Sequence, residues 1–382
     1  MSEHQTILLI NSGVYESPSP YGGTETHVYY LANHLAKNGV KVHLVSDYST
    51  SHFHKNVILH PTNFNGVLLD KIGWVGYLMR HLIGGWKSYR VAKKLYKSEI
   101  VFDTIHCHGR FSSYFMTKFV KDQVIVTIHD SPPSKKITSS FWGKVFYGGW
   151  DKFFSNKIPL NAKHNIVVAL DIKEKLLELG IPERKISYLP SGVDTELFHP
   201  SEHKMDVTSI LYVGTLVKRK GVEYLIKSFV ELDAGITLDI MGDGPDRRRL
   251  ENLTKTLKLE NRIKFLGPQR QETVAKTLRE RKIYVLPSLS EGFPITLLEA
   301  LSSGCAVITT SVSGIPHIIK QKENGILIDP ENPHQIKASI ELLIEDTSLR
   351  KHISKNGLEL VQNKFSWNTV AEEVLTIYED AY

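Results

Sequence analysis

Short apolar runs alternate with longer stretches whose apolar residues recur three and four apart, and this alternation continues along almost the whole chain. It constrains the fold more than any other feature. Strands buried on both faces read as continuous apolar runs, and the helices that connect them read with a period of 3.6. Thr6 to Asn11 predicts a first buried strand. Gly22-Gly23 follows, then a helix with Val28, Leu31, Ala32 and Leu35 on one face and Gly39 closing it. Further strands are expected at 41–46, 104–108, 124–129, 165–170 and 186–189. Asp171 and Glu174 have capping-box spacing ahead of Leu176, Leu177 and Leu179, and Gly180-Ile-Pro182 stops that helix. A polar stretch from Asp194 to Thr208 lacks periodicity. Beyond it the alternation restarts, with strands at 209–214, 236–242, 263–267, 283–287 and 306–311. The expected class is α/β, as two successive doubly wound domains.

The length of 382 residues also exceeds one ordinary domain. The expected division is residues 1–194, a linker at 195–208, residues 209–364, and a last helix over 365–382. Only Cys107 and Cys305 occur, far apart, which argues against a disulfide scaffold or a cysteine metal site and for a reducing compartment. No apolar run has spanning length, and the first residues lack a basic leader, so a cytoplasmic location is expected. Net charge is +6, with +9 carried by residues 1–190 and −3 by the rest. The basic half calls for an anionic partner. No zinc-finger spacing or RNA-binding aromatic motif occurs, so nucleic acid is not expected. The segment 72–97 combines Trp74, Tyr77, Leu78, Leu82 and Trp86 with Arg80, Lys87, Arg90, Lys93, Lys94 and Lys97. It reads either as an interfacial helix on an anionic membrane or as a core helix with a solvated basic end, and Gly84-Gly85 is expected to weaken its continuity.

In open α/β sheets ligands bind at the carboxyl ends of strands, beside helix N-termini. With two such domains, the cleft between them is the expected site. The most informative loop is Pro287-Ser-Leu-Ser-Glu291-Gly-Phe-Pro294-Ile-Thr-Leu-Leu-Glu299. Pro294 suits the first turn of a helix whose free amides fit a phosphate. Gly292 permits close approach of the backbone. Glu299 suits a ribose diol and Glu291 a sugar hydroxyl or a developing cation. Two solvated glutamates beside an ordinary helix are the plain alternative. Neither carboxylate is expected to be buried without a ligand.

Glu291-x7-Glu299 within Ser-Glu-Gly-Phe-Pro resembles the signature of family-four glycosyltransferases, retaining enzymes of the GT-B fold. Tyr21-Gly-Gly-Thr-Glu25, Thr127-Ile-His129, Pro190-Ser-Gly-Val-Asp194, Lys220-Gly221, Gly242-Asp-Gly-Pro245 and Phe265-Leu-Gly267 agree in the family's order. The resemblance implies two Rossmann-like domains facing a central cleft, with the last helix crossing back to the first domain. It also implies a nucleotide diphospho-sugar donor (UDP- or GDP-linked), a glycan or lipid-linked acceptor, retention, no metal and no cofactor. A role in cell-envelope or exopolysaccharide synthesis, at the inner face of the membrane, goes with it.

Residue by residue, the resemblance gives Gly22 and Gly23 to the donor phosphates and His129 to the sugar or its phosphate. Lys220 takes the diphosphate. Gly242, Gly244, Gly267 and Gln269 join the donor site, the base lying after Gly267. Gly292, Phe293, Pro294, Ile295 and Thr296 frame the helix start, and Glu299 holds ribose. The catalytic set is His129, Glu291 and Lys220. Thr215 stands where many relatives carry an arginine, so Lys218 or Arg219 compensates or leaving-group stabilisation is weaker. His106 and His108 flank Cys107 and are expected on opposite faces of their strand; a metal there needs a third ligand that the sequence does not place, so hydrogen-bonding roles are expected. Two rival readings are a nucleotide-sugar epimerase and a non-catalytic partner subunit. An incomplete glycine fingerprint disfavours a dinucleotide dehydrogenase, and the absence of Asp-x-Asp disfavours a metal-dependent transferase.

Overall fold

The computed structural model describes residues 5–11, 23–47, 53–64, 73–129, 156–202, 207–291 and 293–381. The chain divides into two compact units, Met1–Pro190 with Val370–Tyr382, and Ser191–Thr369. The first unit holds β1 (Thr6–Ile10), β2 (Lys41–Val45), β3 (Val57–His60), β4 (Thr104–Cys107), β5 (Val124–Ile128), β6 (His164–Val167) and β7 (Ile186–Tyr188). They form one parallel sheet in the order β3-β2-β1-β4-β5-β6-β7. The second unit holds β8 (Ser209–Val213), β9 (Thr237–Met241), β10 (Ile263–Gly267), β11 (Ile283–Leu286), β12 (Ala306–Thr310) and β13 (Ile326–Ile328), again parallel, in the order β10-β9-β8-β11-β12-β13. Both orders are doubly wound, with a switch between the first strand of each unit and its fourth.

Burial explains which runs became strands. Ile7 to Ile10 and Ile210 to Tyr212 are fully enclosed because helices cover both faces. Val28, Leu31, Ala32 and Leu35 are likewise buried on one face of the helix Gly23–Lys37. Gly39, at φ 86°, ends that helix with bonds from Gly39 N to Ala36 O and from Val40 N to Leu35 O. The sequence reading missed β3 and β13. Both are short edge strands, and β3 is only half-buried, so neither leaves the long apolar run that marks a central strand.

Three local expectations are corrected. Asp171 and Glu174 form no capping box: Ala169 caps the helix Leu170–Glu178 without a side-chain bond, and Asp171 pairs with Lys175 at 3.9 Å instead. Gly84-Gly85 do not interrupt the basic segment, which is one helix over Gly73–Tyr96. Gly85 is instead a crossing point, since a Cβ there would lie 2.4 Å from Phe111 Cβ and 3.0 Å from Ser112 N on the helix Arg110–Phe119. Residues 195–208 are not all a free spacer. Phe198 is buried in the second unit's core, and Ser302 Oγ donates to its carbonyl at 2.5 Å. The last helix, Trp367–Ala381, follows a break after Lys364, and Tyr378 on it is buried in the first unit. Both cysteines are buried thiols outside any disulfide.

Strands β8 and β9 run out side by side. Gly214 N donates to Met241 O at 3.0 Å, and Leu216 N donates to Asp243 O at 2.8 Å. At Gly242, φ 138°, a Cβ would stand 1.9 Å from Gly214 O. Gly242→Ala should therefore cost at least about 1–3 kcal/mol for the backbone strain alone. Denaturant unfolding reads this as a lowered midpoint, and an unchanged midpoint would show that the two strand ends can part freely.

Candidate functional site

In the second unit, two turns meet at the carboxyl edge of the sheet. The first follows β8 and ends in a 3₁₀ turn, Lys218–Lys220, closed by Gly221 at φ 64°. A Cβ on Gly221 would lie 2.0 Å from the carbonyl oxygen of Pro287, so the turn is pressed against the end of β11 and only glycine fits. Leu289 N donates to Arg219 O at 2.7 Å and locks the contact. Lys220 Nζ is thereby placed 2.5 Å from Glu291 Oε1, which also accepts from Ser288 Oγ at 2.6 Å. The Glu291 amide donates to Ser313 Oγ at 3.3 Å. Burial pulls the Lys220 ammonium below its ordinary pKa, and the Glu291 carboxylate works against that shift.

Arg219 Nη1 lies 3.6 Å from Glu291 Oε2 with its side chain 57% exposed. Lys218 instead contributes to the field around Asp246. Of the two cations near Thr215, Arg219 is thus the one beside the Lys220–Glu291 pair. Thr215 itself turns its carbonyl toward the Tyr212 hydroxyl, 3.2 Å away.

The third element is the helix Ile295–Ser302. Pro294 caps it from outside, with φ −81° and ψ 91°, and does not form its first turn as expected. Thr296 Oγ1 lies 3.1 Å from the Tyr284 hydroxyl, which is 3.2 Å from Val213 O. Phe293 packs on the core, its ring 6.0 Å from that of Phe365. Glu299 sits one turn inside the helix and is buried. Gln271 hydrogen-bonds it, but burial dominates and raises its carboxyl to about 7. The expectation that both glutamates stay unburied without ligand is therefore wrong. Glu291 is enclosed because Lys220 and Ser288 replace its water, whereas burial leads Glu299 to bind a proton more tightly.

Gly242 and Gly244 follow β9, and Gly267 ends β10 at φ 70°. Gln269 Nε2 donates to Leu266 O at 2.6 Å. Gly22 and Gly292 lie outside the described residues, and Gly23 opens its helix. Sequence reasoning passed over Ser288, Gln271 and Ser313. Ser288 was findable, three residues before Glu291 in the same loop; Gln271 and Ser313 come from other loops and left no local signal.

In the first unit, His129 directly follows β5, as His108 follows β4. His106 and His108 share one face, their ring centroids 4.3 Å apart, because residues two apart in a strand point the same way. Expecting opposite faces was an error of period. His106 is fixed by the Tyr378 hydroxyl and Thr127 Oγ1, each at 2.7 Å. His108 Nδ1 is 3.0 Å from His129 Nε2. His27, in the first turns of its helix, packs edge-on against His129 at 4.7 Å between centroids. Burial, then the neighbouring imidazoles, hold His27 and His108 well below the ordinary histidine range and bring His106 to about 3. The sequence reading placed His129 in the catalytic set and gave His106 and His108 hydrogen-bonding roles. A histidine one residue past a parallel strand was the available signal for His108, and His27 had none.

Residues 21–197 match the family model described as Glycosyltransferase Family 4, and residues 193–360 match that of Glycosyl transferases group 1. An uncharacterized glycosyltransferase of Methanocaldococcus jannaschii is 30% identical over 367 residues, covering 94% of this chain and 95% of its own. A sucrose-phosphate synthase from Thermosynechococcus elongatus shares the fold with a TM-score of 0.77, at 22% identity over 98% of both chains. HepE of Anabaena, solved with UDP-glucose, has a TM-score of 0.71 at 17% identity, over 98% of this chain and 100% of its own.

Glu299 makes stability depend on pH with a definite sign. Its folded pKa, about 7, is above the ordinary 4.5, so the folded chain holds a proton that the unfolded chain releases. The resulting stabilisation is complete below the ordinary value and is lost as pH rises through about 7. Glu299→Gln carries no such proton, so the stability difference, variant minus wild type, should grow between pH 5 and pH 8. Denaturant melts at both pH values measure it, and parallel profiles would mean that Glu299 is ionised throughout.

Proposed function

The chain belongs to the group 1 glycosyl transferases, and we propose that it moves a sugar from a nucleotide diphospho-sugar to a glycan or lipid-linked acceptor, retaining the anomeric configuration and using no metal. The observation that carries this reading is the Lys220–Glu291 pair beside the start of the helix that bears Glu299. A cation, free helix amides and two carboxylates at one strand edge match the parts of such a donor. HepE, of like fold, binds UDP-glucose, which supports a nucleoside diphosphate-linked donor.

Each group has a distinct part. Lys220, with Arg219 next to it, takes the diphosphate, whose charge grows as the glycosidic bond breaks. A preorganised cation in a water-poor site favours that state over the bound ground state. When phosphate oxygens engage Lys220, Glu291 is released from its pair to accept from the migrating sugar and to stabilise positive charge at the anomeric centre. Amides near Phe293 and Thr296 add donors to the phosphate. Glu299, once ionised, accepts from the ribose hydroxyls, and Gly267 and Gln269 border the base. His129 is assigned to the transferring sugar. No general base is assigned, since the departing phosphate can take the acceptor's proton.

The acceptor reading draws on the helix Gly73–Tyr96. Trp86 and Met79 are exposed on it, Arg90 stacks over Trp86 at 4.9 Å and Lys87 over Phe64 at 5.1 Å. The side chains of Trp74, Tyr77 and Leu78 lie outside the described residues. Among the described residues, no helix is long and apolar enough to cross a membrane. Basic residues beside the exposed Trp86 and Met79 support reversible attachment to an anionic surface. The protein should float with anionic vesicles and not with neutral ones, and salt should release it. Equal partitioning would leave a water-soluble acceptor.

Steady-state kinetics with varied donor test the site. Glu299→Gln should mainly raise the donor KM, since ribose contacts change little during transfer. Glu291→Gln should mainly lower the rate at saturation. Lys220→Ala should lower it by about 10–150-fold, the rate equivalent of roughly 1.5–3 kcal/mol for a charge-assisted bond. Excess EDTA should leave wild-type turnover intact. Melting curves accompany each variant because both glutamates are buried. Wild-type kinetics in all three variants would remove this loop and helix from the donor site.

A further inference from the structure

The ligand-competent atoms of His27, His108 and His129 all lie within 4.8 Å of one another. We propose that these three imidazoles form a binding site for a borderline divalent cation of the zinc type, whose occupancy blocks turnover. The second part rests on the assignment of His129 to the transferring sugar; the first does not.

Three observations converge. The donor set is all imidazole nitrogen, which suits zinc, copper and nickel and disfavours magnesium and calcium, which prefer oxygen. A tetrahedral zinc with bonds of about 2.0–2.1 Å holds its nitrogens ~3.4 Å apart, so ring movements of roughly 1 Å complete the site. His27 and His108 are buried, His108 Nδ1 already lies 3.0 Å from His129 Nε2, and His108 Nε2 has no hydrogen-bond partner among the described residues. His129 is the least buried of the three. Three protein ligands leave a fourth position open, the pattern of an accessible ion. His106 is held by Tyr378 and Thr127 and serves as a neighbour, not a ligand.

The full chain, stripped with EDTA, is dialysed against Zn2+ and against Mg2+, and bound metal is counted. One Zn2+ and no Mg2+ per chain is expected. His129→Asn and His27→Asn should each weaken Zn2+ by more than the ~10–100-fold typical of losing an outer-shell partner, while His60→Ala, at the separate His43–His60 contact, should not. Because variants of buried histidines can fail to fold, Co2+ is also titrated into the wild type. An intense visible band indicates four-coordinate nitrogen ligation, and a weak one indicates a hexahydrate-like surface ion. No stoichiometric Zn2+, a weak Co2+ band, or full retention in folded His129→Asn overturns the site. Zn2+ that binds there without slowing transfer overturns only the block. Donor binding, followed as a thermal shift with UDP-glucose in EDTA, stands or falls separately.

Discussion

Because every strand in both sheets runs parallel to its neighbours, every strand-to-helix turn leaves its sheet from one edge. The faces, which helices cover, are filled mostly by apolar side chains. Polar chemistry has one place to go in each unit. At the switch point of the second sheet, β8 and β11 are neighbours, and their turns bring Lys220 to Glu291 across 71 residues of sequence. At the corresponding point of the first sheet, the turns after β4 and β5 and the helix after β1 bring together His108, His129 and His27.

The two clusters solve the problem of burying polar groups differently. Lys220 and Glu291 neutralise each other, and Ser288 supplies a further bond, so the pair tolerates enclosure. Such a pair is weak evidence for stability, since desolvation offsets much of its attraction, but it holds both groups in one geometry. Burial raises the Glu299 carboxyl to about 7. Burial holds His27 and His108 below the ordinary histidine range, and His108 Nε2 has no hydrogen-bond partner among the described residues. Groups held this way are poised toward a ligand, which is where natural proteins give up stability.

Glycine at two positions ties fold to site. Gly221 allows the Lys218–Lys220 turn to touch the end of β11, and Gly242 allows β9 to leave beside β8. A side chain at either place would push apart the turns that carry the charged groups, so the same atoms serve packing and binding.

The alternation of apolar runs with helical stretches determined the α/β class, the two doubly wound units and the central strands, because a strand enclosed on both faces is mostly apolar. The loop from Pro287 to Glu299 was legible too, since its proline and glutamates are close in sequence and resemble a family signature. Edge strands β3 and β13 escaped notice, being short and half-wet or brief, and the capping box at Asp171 failed because spacing permits a bond without requiring it. Only the tertiary structure decided that Arg219 rather than Lys218 stands beside Glu291, that Gln271 meets Glu299, and that His27 joins His108 and His129. Those contacts lie between turns from different strands, and which turns become neighbours follows from strand order, which no local pattern of residues encodes.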